Sequence, residues 1–185
     1  MILSPNREKN ERFGKYQGVP LVLSEMQVMY ELERMVGRPI PPASIIHWRS
    51  FGFEANAGRI IKLAIYNQGI TQIPETIGQL KKLQELYLGH NKLTHLPESL
   101  GNLYQLRTLT LEHNELTSVP DNLGQLQKLH TLDLSANQLK SLPIAFYTMK
   151  SLRMIDLGGN QNLRIPLLVE RWLVGIRQKG GTIFR

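Results

Sequence analysis

His90 and His113 stand 23 residues apart, with Glu112 adjoining the second and Asp133 further along the chain. Two imidazoles and two carboxylates have the donor chemistry of a zinc or copper site. Metal-dependent catalysis at the His90/His113 pair is therefore one reading. The set lacks tight i, i+4 spacing, so these residues are expected instead as solvent-exposed contact residues. His47, His95 and His130 show no nucleophile–base–orienter relation. Cysteine is absent, as are G-x-S-x-G, Walker and G-x-G-x-x-G motifs. The chain reads as a non-enzyme without a cofactor.

The 23-residue spacing belongs to the whole middle of the chain. Segments starting at Ile60, Leu83, Leu106, Leu129 and Leu152 align residue for residue. Position 4 holds Leu63, Leu86, Leu109, Leu132 and Ile155, and position 6 holds Ile65, Leu88, Leu111, Leu134 and Leu157. Their alternation with polar neighbours is the pattern of a strand with one buried face. Strands recurring at one place in each coil must run parallel, about 4.8 Å apart. Position 9 holds Gln68, Asn91, Asn114, Asn137 and Asn160. These are expected as an amide ladder serving backbone groups that the bend leaves unpaired. Position 15 is always proline (Pro74, Pro97, Pro120, Pro143, Pro166), which suits the first residue of a helical turn. Leu96, Leu100 and Leu103 then present one helical face to the core.

These columns spell L-x-x-L-x-L-x-x-N-x-L closing in L-P-x-x-L-G-x-L, and residues 60–166 resemble the leucine-rich repeat proteins of the Ras-suppressor and Scribble class, also found in bacteria and archaea. The resemblance implies an α/β solenoid with a curved parallel sheet on its concave face. It also implies scaffolding or regulation in intracellular signalling, with small GTPases or phosphatase complexes among possible partners. Departures from the pattern occur at Gln68, at Asn162 and in the fourth repeat, which reads PIAFYTM without its glycine. Terminal repeats of a solenoid are expected to be atypical.

Both ends of such an array expose an apolar face that needs cover. Residues 1–59 are read as an N-terminal segment and cap, with a helix at about 24–36 and a hairpin at about 50–65. Ser24 and Gln27 suggest a capping box, and Leu23 a staple onto Val28. Val28, Met29, Leu32, Met35 and Val36 form the apolar stripe, with Glu25, Glu31, Glu33 and Arg34 outside it. Residues 60–166 are the five repeats and 167–185 a C-terminal cap, all one structural domain. In that cap a helix carries Leu168, Trp172 and Ile176 inward, Gly180 stops it, and 182–184 add a strand. Residues 1 to about 20 are polar and expected to be partly disordered.

The chain has 185 residues and a formal charge of +7. No cysteine, N-terminal apolar stretch or membrane-length apolar run occurs, so a cytoplasmic monomer is expected. The basic excess sits in 164–185, at Arg164, Arg171, Arg177, Lys179 and Arg185 against Glu170 alone. Nucleic-acid or acidic-membrane binding through this cap is the alternative function, although no specific nucleic-acid motif accompanies it. The concave columns are acidic instead: Glu85, Glu112, Glu115, Asp133 and Asp156 against Lys62 and Lys92. Tyr66, Tyr87, His90, Glu112, His113, Asp133 and Asp156 are the expected contacts for a protein partner bearing a basic segment. Asp133 and Asp156 fall on adjacent strands, where like charges repel and the fold has no evident need of them.

Overall fold

In the computed structural model, which describes residues 12–185, the 23-residue period becomes a spatial one. Strands β4 (Arg59–Ile65), β5 (Glu85–Tyr87), β6 (Thr108–Thr110), β7 (Thr131–Asp133) and β8 (Met154–Asp156) pair in parallel, in chain order. Leu63, Leu86, Leu109, Leu132 and Ile155 stand in one row across them, all fully buried. The row in front runs Lys62, Glu85, Thr108, Thr131 and Met154. Strand β3 (Phe51–Asn56) adds antiparallel before β4 through a turn at Ala57 and Gly58, and β9 (Thr182–Phe184) adds parallel after β8. The result is the expected α/β solenoid.

Opposite each strand the chain makes a short 3-10 turn, at Glu75–Gln79, Glu98–Asn102, Asp121–Gln125 and Ile144–Thr148. Each preceding proline takes the extended capping position, with ψ between 136 and 150°, one place before the helical residue expected of it. The turn's first amide bond then returns to the proline carbonyl, as in Leu100 N–H to Pro97 O at 3.1 Å. The glycine of the L-G pair has a packing reason. A Cβ on Gly78 or Gly124 would meet the next coil's backbone oxygen at 2.6 or 2.7 Å, and Gly101 faces Asn122 O in the same way. Tyr147 stands at this position in the fourth repeat and is half exposed, because no further 3-10 turn follows; α2 (Leu167–Gln178) packs there instead.

The N-terminal segment is more structured than its polarity suggests. Residues 1–11 of the stretch expected to be partly disordered lie outside the described residues, but the remainder forms a hairpin, β1 (Phe13–Tyr16) and β2 (Val19–Val22). Its turn, Gln17 and Gly18, has positive φ at both residues, the geometry of a two-residue hairpin loop. Tyr16 is buried and its hydroxyl accepts the Ile40 amide at 3.1 Å. Strand β2 runs directly into α1 (Leu23–Val36), so Val22 is the N-cap and no side chain caps the helix. The capping box at Ser24 and Gln27 does not form. Gln27 instead donates to Glu31 at 2.6 Å, and Leu23 is exposed rather than stapled. Val28, Met29 and Leu32 are buried, with Met35 and Val36 packed at the margin. Glu25, expected outside, is fully buried: it accepts the Ile60 amide at 2.7 Å and Arg59 at 3.2 Å.

At the other end α2 buries Val169, Leu173 and Ile176. The expected stripe of Leu168, Trp172 and Ile176 is rotated: Leu168 is exposed, while Trp172 is half-buried with its ring edge-on to Phe146 at 6.3 Å. Gly180 has φ 81° and its amide returns to Arg177 O, ending the helix before β9.

Candidate protein-interaction face

The concave surface is held in place from beneath by asparagines. Asn114 donates to Leu88 O and Leu111 O, both at 3.0 Å, and accepts the Leu93 amide at 3.0 Å. Asn91, Asn137 and Asn160 repeat the arrangement, each joining its own coil to the one before. Gln68 does not. Its longer side chain folds onto Tyr66 O at 2.7 Å and accepts from Arg38 at 2.7 Å, since only the N-terminal segment precedes it. The bend that the asparagines serve puts the preceding residue in the left-handed region: Asn67, His90, His113, Ala136 and Gly159 have φ between 51 and 74°. Backbone geometry therefore restricts this column, and Asn or Gly are the usual solutions.

The two histidines consequently stand side by side at the margin of the sheet. Their rings stack at 4.2 Å, Tyr66 lies 5.0 Å from His90, and Trp48 lies 6.0 Å from Tyr66. Four rings thus form a continuous row. Trp48 and His90 are well exposed, and Arg49 lies 4.1 Å over the indole. Burial, followed by the neighbouring His113 and Arg49, holds the His90 imidazole below its ordinary value. Sequence reasoning found three members of this row and missed Trp48, which arrives from the N-terminal segment.

Beside the rings lie the acids. Tyr87 donates its hydroxyl to Glu85 at 2.6 Å, and Lys62 bridges Glu54 and Glu85 at 3.3 and 3.7 Å. Burial, then the hydrogen bond to Glu85 and that residue's charge, raises the Tyr87 phenol above its usual range. Asp133 and Asp156 are register neighbours, but the fold does use them. Asp133 accepts the Ser135 amide and hydroxyl at 2.9 and 2.6 Å, and Asp156 accepts the Gly158 amide at 2.9 Å. Each thereby closes the turn leaving its strand. Glu112 is buried, and burial pushes its carboxyl up; its own amide and the Thr110 hydroxyl, close to the carboxylate but outside hydrogen-bond geometry, work against the rise, and the Asp133 charge adds to it.

Among the described residues no group of three or more His, Cys, Asp or Glu is placed to hold a metal. Arg171 and Arg177 are six residues apart on α2, about 240° around the helix axis, so they do not share a face. Arg185 is paired with Glu170 at 2.9 Å. A cleft of 640 Å³ at this end, lined by Leu157, Leu163, Ile165 and Leu167 among others, includes none of the expected contact residues. No described helix is long and apolar enough to cross a membrane.

A family model described as leucine rich repeat matches residues 60–116 and 104–161. Among solved structures, the chain is similar to a leucine-rich repeat protein of Leptospira interrogans, with 34% identity and a TM-score of 0.58. The likeness covers 66% of this chain and 30% of that one, so the chain matches under a third of that protein's length. No curated protein matches the chain.

Proposed function

The chain belongs to the leucine-rich repeat family, and from that premise we propose that it is a non-catalytic module holding a protein partner against its concave sheet. Repeats of this family are generally protein-interaction modules. The observation that carries the proposal is the row Trp48, Tyr66, His90 and His113 beside Glu112, Asp133 and Asp156. Rings supply anchoring area, and acids attract a basic segment and speed its approach. The asparagine ladder fixes the backbone beneath them, so little ordering is needed on binding. A scaffolding role in intracellular signalling agrees with the family resemblance.

The experiment compares two variants in capturing a partner from native extract. Tyr66→Ala with His90→Ala and Glu112→Gln should lose the partner, while Arg171→Ala with Arg177→Ala and Lys179→Ala should keep it. The opposite pattern would favour a nucleic-acid or membrane role for the basic C-terminal end.

A further inference from the structure

One acid on the concave face has no work in the free protein. Glu112 is only 8% exposed, yet neither of its carboxylate oxygens accepts a hydrogen bond. The neighbouring Thr110 hydroxyl, equally buried, is also unpartnered. Burying an acid without a donor is unfavourable, and native proteins do it rarely. The carboxylate has room because residue 89 is glycine: a Cβ there would collide with Glu112 Oε1. Glu112 thus reaches back over the preceding coil and lies where a side chain on residue 89, the chain neighbour of His90, would be. Tyr66, His90 and His113 follow one another there at 5.0 and 4.2 Å.

Building on the concave-face reading above, we propose that Glu112 and the adjoining ring row are a recognition site for an arginine side chain of the protein partner. A guanidinium is the cation suited to both halves. Its planar fork offers paired donors to a carboxylate, and its weakly hydrated face stacks on rings. A lysine ammonium is more strongly hydrated and has no flat face. This molecule already stacks two guanidinium groups in such a way, Arg49 over Trp48 at 4.1 Å and Arg38 over Phe51 at 4.2 Å. A metal ion is the poorer occupant, since no third donor converges there among the described residues. Access follows from the same orphaned state: only weak contacts with its own amide and the Thr110 hydroxyl hold the carboxylate against Gly89. The glutamate that is unfavourable in the free protein becomes favourable once paired.

The test titrates Nα-acetyl-arginine methylamide, and separately its lysine counterpart, into the full chain while the His90 and His113 ring resonances are followed by NMR. The arginine probe should shift both and bind about tenfold more tightly than the lysine probe. Glu112→Gln should weaken the arginine probe about tenfold or more with the backbone spectrum still that of a folded chain. His90→Ala, which leaves the acid in place, should weaken it too. Equal response to both probes, or undiminished arginine binding by Glu112→Gln, overturns the assignment. A partner captured on the concave face without dependence on Glu112 also overturns it while leaving the concave-face reading intact. A partner lost only by the α2 variant overturns both.

Discussion

Glu112 titrates higher in the folded chain than in the unfolded one, because burial disfavours its charge. Its contribution to stability is therefore fully present below the unfolded carboxyl value near 4.5 and is lost as pH rises through the raised folded value. Glu112→Gln should then be more stable than wild type at pH 7, on the order of 1 kcal/mol. Urea unfolding at a series of pH values should show the difference shrinking on acidification; a difference that grows contradicts the burial argument. The ladder gives a second prediction. Asn114→Leu unpairs Leu93 N–H, Leu88 O and Leu111 O, at about 1–3 kcal/mol for each buried group. Asn122→Ala, which loses only an exposed bond from Gln125, should change stability by less than about 0.5 kcal/mol. Equal losses at both sites would show that position 9 has no special role. At this scale the sequence was legible where a residue type has one use, as with the asparagines. It was illegible where two uses compete. Asp133 and Asp156 read as repelling surface charges, whereas each closes its own turn, so removing them should cost stability slightly rather than improve it.

The elements follow the repeat wherever a buried row recurs. Period two at positions 4 and 6 marked every strand from β4 to β8, and proline marked every turn. Helix α2 was harder. Its Leu167, Leu168, Val169, Trp172, Leu173, Val174 and Ile176 put apolar residues on most sides, so periodicity alone does not select the buried face. Leu173→Ala should accordingly cost about 2–5 kcal/mol and Trp172→Ala clearly less, by equilibrium unfolding. The reverse order would restore the face expected from sequence. Helix α1 was misread at its start because β2 delivers the chain already aligned, with Leu23 N–H donating to Arg12 O at 2.9 Å, and Ser24 is left with no cap to make. Packing between coils supplies another check. Gly101→Ala drives a methyl into Asn122 O and should destabilise by about 1–3 kcal/mol, whereas Tyr147→Ala at the equivalent place of the last turn should have little effect. Similar melting temperatures for the two variants would show that the glycine column is not a packing requirement.

Over the whole molecule, one hydrophobic cluster runs from Tyr16 and Leu21 through every coil to Ile176, so the flanking segments share the core of the repeats. The curved sheet this produces was readable because each coil restates the same pattern. The candidate face was readable only in part: its acids and tyrosines fall on outward strand positions, but Trp48 joins the rings from outside the repeat and the left-handed bend aligns the histidines. Hydroxyl-radical footprinting of the full chain, with and without its captured protein partner, locates the contact surface residue by residue. Trp48, Tyr66, His90 and His113 should become protected on binding while Tyr147 and Trp172 oxidise as before. Protection of Tyr147 and Trp172 with the four rings unchanged would place the partner on the C-terminal end instead of the concave face.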